Sequence, residues 1–459
     1  MKNQKYKKLF SNTALFAIAN MGTKLVQFIL VPLYTYTMSK AQYGTVDIVL
    51  TTINMLLPLF ALSIADAVFR YTMDKREISS VLVNGLMVTF IGSVAVFLCI
   101  PLFGLFKIAY PSLFAISLSL TLFMTLFQNF ARAAGFEKQF ALSGVINALV
   151  LSSLNILFLV YFKLAVQGYM LSMVIAYLLT DVYLIVSIKL WRQVDVKSLS
   201  WSKTKEYLSY SIPLIPNAFS WWFTNDANRY FILLFVGASG NGLYAVANKI
   251  PSILTMIYNI FAQAWQMSAV EEFHSEKNGE FYSNVLNGSI RILVIIACGL
   301  LAVIKPFMSV FVSPSYFSAW KFVSFLLLAA IFSNASAFLG TIFLAAKKTR
   351  SIMSTTIIGM VVNLFFNLLL IPKFGVNGAG IGSSLGFLLV CITRYVMVNK
   401  RFVKLTLEKG LIYLFLGFFA IMMVNFTISS MLLSSITNVV ITIVLIGLQA
   451  KYFYKFIRK

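Results

Sequence analysis

Apolar segments about 20 residues long, the length that crosses roughly 30 Å of hydrocarbon, follow one another almost end to end through this chain. No other feature limits the fold so tightly. A backbone inside lipid has to satisfy its own hydrogen bonds, so consecutive segments of this kind form a bundle of helices. The spans fall near 9–33, 43–67, 80–106, 113–134, 142–162, 165–190, 207–236, 242–270, 284–304, 321–345, 351–371, 377–398, 409–431 and 434–454. The expected fold class is therefore all-α and polytopic, with about fourteen transmembrane helices. The chain is 60% hydrophobic and 11% charged over 459 residues. A soluble domain of that size could not cover so much apolar surface.

Charge sets the expected orientation. Lys and Arg in the termini and alternate loops divide 27 against 6 between the two sides, which by the positive-inside rule puts both termini in the cytoplasm. Basic loops against an anionic inner leaflet account for most of the net charge of +23,. No basic domain stands clear of the spans, so nucleic acid is not an expected partner. Cys99, Cys298 and Cys391 lie inside spans without metal-ligand spacing and read as packing residues,. His274 reads as a solvated loop residue beside Glu271, Glu272 and Glu276. Nucleotide loops, metal clusters and catalytic triads are lacking, so the expectation is a protein that is not an enzyme and uses no metal or cofactor.

Four cations break the apolar pattern: Lys24, Arg229, Lys249 and Arg291 lie inside spans. A charge at a helix centre costs at least about 2.5–3.5 kcal/mol. Snorkelling from a helix end explains one such residue, but explains four in four different spans poorly. A shared cationic cavity with an anionic guest fits better. Polar residues also collect on helix faces. Lys249, Ser252, Met256, Asn259, Gln263 and Gln266 follow a spacing of three and four that keeps them on one side of a helix,. Asp47, Thr51 and Asn54 do the same in the second span, Asn20, Lys24 and Gln27 in the first, and Asn217, Ser220, Thr224 and Asn228 in the seventh. Asn and Gln also join membrane helices by hydrogen bonds, which is the alternative for any one of them.

A short repeat organises the chain. Asn155 to Lys163 followed by Val166-Gln167-Gly168 parallels Asn367 to Lys373 followed by Val376-Asn377-Gly378, with two residues fewer in the second copy. The repeat predicts a six-helix lobe over 1–190, a cytoplasmic linker over 191–206, a second six-helix lobe over 207–400, and two further helices with a basic tail over 401–459. The two lobes would be related by pseudo-two-fold symmetry. Spans one, two, seven and eight are then the first pairs of the lobes, and a cleft between lobes is the usual place for a transporter's substrate.

Tyr34-Thr-Tyr-Thr-Met-Ser-Lys-Ala-Gln-Tyr-Gly-Thr-Val-Asp47 resembles the first loop of bacterial polysaccharide flippases. These are the O-antigen and capsule-repeat transporters of the multidrug/oligosaccharidyl-lipid/polysaccharide superfamily. Ser211 to Asn217 with Ser220-Trp221-Trp222, then Arg229-Tyr230, then Gly242 to Pro251, is similar to that family's entry to the second lobe, and Leu370 to Ala379 to its closing pattern. One departure is Asn228, where the family often has Asp before Arg-Tyr, with Asp226 two residues earlier.

The resemblance implies alternating-access export of an undecaprenyl-pyrophosphate-linked oligosaccharide from the cytoplasmic to the outer leaflet of a bacterial cytoplasmic membrane. Membrane lipids and polysaccharide polymerase machinery would be its partners. Lys24, Arg229, Lys249 and Arg291 would meet the pyrophosphate. Asn217, Asn259, Gln263 and Trp222 would meet the sugars, with Trp221 and Trp265 as further stacking candidates. Asp47 and Asp226 are candidates for binding a coupling proton or sodium ion, or for serving as counter-ions. Lipid II or teichoic-acid precursors are alternative cargo. A multidrug exporter of organic cations would be opposed by four basic residues, and a membrane glycosyltransferase or polymerase would need paired outward carboxylates.

Overall fold

The computed structural model describes residues 25–457 apart from 75–76, 276–277 and 347; Lys24 and Asn20, and the side chain of His274, lie outside the described residues. All regular structure among those residues is helical, and eleven helices are long and apolar enough to cross a membrane. Chain contacts divide the molecule into two compact units, 1–222 and 223–459.

In the first unit, α1 (Val31–Thr37) leads into α2 (Lys40–Phe60). A capping box starts α2: Ser39 Oγ accepts from the Gln42 amide, and Gln42 Oε1 accepts from the Ser39 amide at 2.8 Å,. The expected second span then breaks at residues 61–63 and resumes as α3 (Ile64–Met73). Next come α4 (Ile78–Leu98), the short α5 (Ile100–Leu105), α6 (Pro111–Ala133), α7 (Glu137–Asn155) and α8 (Ala165–Ser187). Ile64, Val68, Leu82, Leu126, Phe130 and Leu184 form the dry core that joins α3, α4, α6 and α8.

Residues 191–206, expected as a linker, are stitched to this unit. The Asn84 side chain on α4 accepts from the Ser200 amide at 3.0 Å and from Thr204 Oγ1 at 2.7 Å. Thr204 belongs to α9 (Trp201–Ser211), which a 3-10 turn at Pro213 connects to α10 (Ile215–Asn225).

The second unit holds α11 (Asn228–Phe235), α12 (Ala238–Ala247), α13 (Lys249–Glu271), α14 (Asn278–Ala302), α15 (Ile304–Phe311), α16 (Trp320–Ala345), α17 (Thr349–Phe374) and α18 (Val376–Arg401). The final pair, α19 (Gly410–Thr427) and α20 (Met431–Ile457), packs on α14.

The two-residue difference between the repeat copies has a local cause. After Asn155 the chain winds as a π-turn over Ile156–Tyr161, which takes more residues per turn than an α-helix. The copy after Asn367 stays α-helical to Phe374. The two copies then close on the same contact. A side chain at Gly168 would meet the Phe158 carbonyl oxygen at 3.2 Å, and one at Gly378 would collide with that of Leu370. Phe158 and Leu370 each stand three residues after the repeated Asn. Helices can approach this closely only where no side chain intervenes.

Candidate functional site

The expected seventh span is a broken helix. Its pieces are α9, α10 and α11, and the last break falls at Asp226-Ala227. Arg229 stands just past that break. Its guanidinium donates to Asp226 Oδ1 at 2.5 Å and lies over the Tyr244 ring, 5.6 Å from the centroid. The Arg229 side chain is 13% exposed and that of Asp226 34%. The pair is thus within reach of solvent, with the two charges set directly against each other.

Beside it lies a buried neutral network. Asn228 Nδ2 donates to Ser383 Oγ at 2.6 Å and to the Tyr244 hydroxyl at 3.3 Å. Asn367 Nδ2 donates to Asn228 Oδ1 at 2.5 Å and to Asn363 Oδ1 at 2.6 Å. These bonds tie α11 to α12, α17 and α18. They also account for an amide at position 228: it accepts from one neighbour and donates to two, and an ionised carboxylate has no proton to donate.

The eighth span supplies the second element. One side of α13 is buried at Ile250, Leu254, Tyr258, Trp265 and Ala269. Trp265 Nε1 donates to Thr341 Oγ1 at 2.6 Å, and its ring stacks 4.1 Å from Phe338. Trp265 is therefore packing within α13 and α16. The other side carries Ser252, Asn259, Gln263 and Gln266, all exposed, with Lys249 half-buried at its head. In hydrocarbon those amides would lack partners, so the row suits water or a polar ligand.

The remaining expected site residues are spread more widely. In the first unit Asp47 is half-buried on α2 and its carbonyl accepts from Thr51 Oγ1 at 2.7 Å. Trp222 is 8% exposed and its Nε1 donates to the Thr51 carbonyl at 3.1 Å, which joins α10 to α2. Asn217 and Trp221 are exposed on α10. In the second unit Arg291 is 2% exposed on α14, and its partners lie on the C-terminal helix pair and its entry. Nε donates to Gln449 Oε1 and Nη2 to Glu408 Oε2, both at 2.8 Å. Those contacts give Arg291 an anchoring role for α19 and α20.

Two further buried cations are not among the four that the sequence singles out. Arg394 is 6% exposed on α18 and donates to the Ser336 carbonyl at 2.8 Å, Thr355 Oγ1 at 3.0 Å and Thr356 Oγ1 at 3.1 Å. It fastens α16, α17 and α18 together. Lys305, 5% exposed, donates to the Ile428 carbonyl at 2.8 Å and sits over the Trp320 ring. Arg394 lies inside the expected span 377–398, and Lys305 one residue past the end of 284–304. An apolar cavity of about 560 Å³ also opens among α14, α16, α18 and α19. Leu286, Ile290, Phe332, Leu339 and Phe415 line it, and Tyr395, Glu408 and Lys409 are its polar members.

Comparison with known proteins places this architecture. Residues 9–266 match the family described as polysaccharide biosynthesis protein. The chain belongs to that family. One relative is the uncharacterized membrane protein MJ1068 of Methanocaldococcus jannaschii, 22% identical over 448 residues covering 86% of this chain and 85% of the relative. Among solved structures, the chain is similar to the lipid II flippase MurJ in an inward closed conformation. The TM-score is 0.70 at 13% identity, covering 97% of this chain and 100% of that one. It is also similar to an inward-facing multidrug resistance MATE transporter of the MOP superfamily, with TM-score 0.67 at 16% identity over 84% and 98% of the two chains. A third likeness is a MOP superfamily transporter from Pyrococcus furiosus, reported as having a binding pocket of reversed polarity (TM-score 0.57, 14% identity, 85% and 92% covered). The fold is one shared with these multi-pass membrane proteins, and the resemblance drawn from the loop motifs is borne out at the level of the family.

Proposed function

We propose that the protein carries a polyprenyl-pyrophosphate-linked oligosaccharide repeat unit from the inner to the outer leaflet by alternating access. The observation that carries this reading is the exposed face of α13, with Lys249 at its head and Asn259, Gln263 and Gln266 along it. A pyrophosphate is the group that a bilayer refuses most strongly, and a cation with neighbouring amides replaces its water through charge-assisted hydrogen bonds. Arg229, held by Asp226 at the break before α11, is the second proposed contact, and Lys24 the third. Sugars suit the amide row and the exposed Asn217 and Trp221. The apolar cavity bounded by α14, α16, α18 and α19 offers a seat for part of the isoprenoid chain. Family membership supports polysaccharide precursors as the cargo.

Moving an anionic headgroup outward across an inside-negative membrane releases about 2.3 kcal/mol per charge per 100 mV. The potential can therefore drive export without ATP. The test is transport in vesicles containing the purified protein and a labelled lipid-linked oligosaccharide. Export should rise with an imposed inside-negative potential and need no nucleotide. Preferential export of an organic cation, with the lipid-linked sugar left in place, would contradict the reading.

A further inference from the structure

Asp181, 4% exposed on α8, is the most deeply buried acidic side chain among the described residues. Neither of its carboxyl oxygens has a hydrogen-bond partner. The preceding residue, Thr180, is hydrogen-bonded to a neighbouring helix. Asn147 Nδ2, on α7, donates to Thr180 Oγ1 at 3.3 Å and lies 3.8 Å from the Met124 sulfur on α6.

Charged and titratable groups on the elements packed against α8 stand at other levels of the bundle. On α6 the charged residue is Arg132, eight residues or about 12 Å along the helix from Met124, with its guanidinium over the Phe69 ring. On α7 they are Glu137 and Lys138 in the first turn, about 13 Å or more before Asn147 along the axis,. On α2 they are Lys40, Tyr43 and Asp47 in the first turns. Tyr43 stacks on Tyr34, which meets Tyr169 at the first turn of α8, about 18 Å along that helix from Asp181. The π-turn contributes Tyr161, and the segment after α8 contributes Lys189 and Arg192, both exposed. On α8 itself, Tyr177 precedes Asp181 by one turn and Tyr183 follows it by two residues.

An isolated carboxylate in such a place is so costly that the group takes up a proton instead. A metal ion is a poor occupant, because no cluster of three His, Cys, Asp or Glu side chains is present among the described residues and oxygen-binding cations need several ligands. We propose that Asp181 is a proton-binding site of the transport cycle: its carboxyl carries a proton in this conformation and releases it in one that admits water between α6, α7 and α8. The step breaks the carboxyl O–H bond. The proton passes to water, the electron pair stays on the carboxylate, and rebinding from water on the other side of the membrane closes the cycle. The inference rests on the transporter reading, and it adds a proton gradient to the membrane potential as a source of drive.

The test is infrared spectroscopy of the full-length protein in lipid nanodiscs, comparing the native chain with Asp181→Asn, a neutral replacement of nearly the same shape. The native protein at pH 7 should show the carbonyl stretch of a protonated carboxyl that the variant lacks. Identical spectra in that region would overturn the proposal. In vesicles with the potential clamped, a pH gradient should change the export rate of the labelled lipid-linked oligosaccharide by about fivefold or more. Asp181→Asn should remove that response and Asp181→Glu keep it. A pH response unaltered in Asp181→Asn would also overturn the proposal. If no lipid-linked sugar moves in any variant, the flippase reading fails, and the carboxyl band still decides the protonation of Asp181.

Discussion

The two units use the same device with different chemistry. In the first, Asn155 near the end of α7 donates a single hydrogen bond of 3.0 Å to the Tyr34 hydroxyl on α1, and Tyr34 is seated between the rings of Tyr43 and Tyr169. In the second, Asn367 at the equivalent place on α17 holds Asn228 on α11, within a network that takes in Asn363, Ser383 and Tyr244. In each unit the repeated Asn fastens the short helix that precedes the second membrane helix of its lobe. The first copy does so with aromatic packing, and the second with amides beside a half-buried Arg229–Asp226 pair. The scaffold is repeated while the buried amide network is found in the second copy, beside the start of α11 where we propose that substrate is handled.

If that comparison is right, damage to the second copy should cost more. Asn367→Leu leaves the Asn228 and Asn363 oxygens without this donor, at about 1–3 kcal/mol for each buried group left unsatisfied. Thermal unfolding in nanodiscs should therefore show a far larger loss for Asn367→Leu than for Asn155→Leu, which orphans a single hydroxyl. Equal losses would break the comparison. A smaller difference separates the paired glycines. Gly378→Ala drives a methyl into the Leu370 backbone, whereas the contacts at Gly168 begin at 2.9 Å with a side chain. Overpacking of this kind costs about 1–3 kcal/mol, so Gly378→Ala should melt clearly lower than Gly168→Ala. The smallest effect is expected at Trp222→Phe, which removes one hydrogen bond to the Thr51 carbonyl and should cost about 1 kcal/mol, with the fold retained.

Periodic features were legible in the sequence and long-range partners were not. Apolar length announced the helices, the repeated Asn marked corresponding positions in the two units, and the spacing from Lys249 to Gln266 placed a polar face that the structure leaves exposed. The break at Asp226-Ala227 was hidden, because neither residue is Pro or Gly and the flanking composition is unchanged. Arg291 looked like a cavity cation because its acid and its amide, Glu408 and Gln449, lie more than a hundred residues away. Arg394 and Lys305 stand near the ends of expected spans, where charges are common, yet hydroxyls and backbone carbonyls from elsewhere in the fold satisfy them. Asp181 did carry a readable signal, since an acid inside an apolar span is a functional candidate by default.

The central claim is that Lys249 and the amides in line with it handle the anionic headgroup. It is tested most directly by the initial rate of export of a labelled polyprenyl-pyrophosphate oligosaccharide from vesicles containing either the native protein or Lys249→Gln, at matched protein content and thermal stability. Loss of a charge-assisted hydrogen bond, worth about 1.5–3 kcal/mol, predicts a rate about 10–100-fold lower, with partial recovery in Lys249→Arg. A Lys249→Gln protein that exports at the native rate would contradict the account.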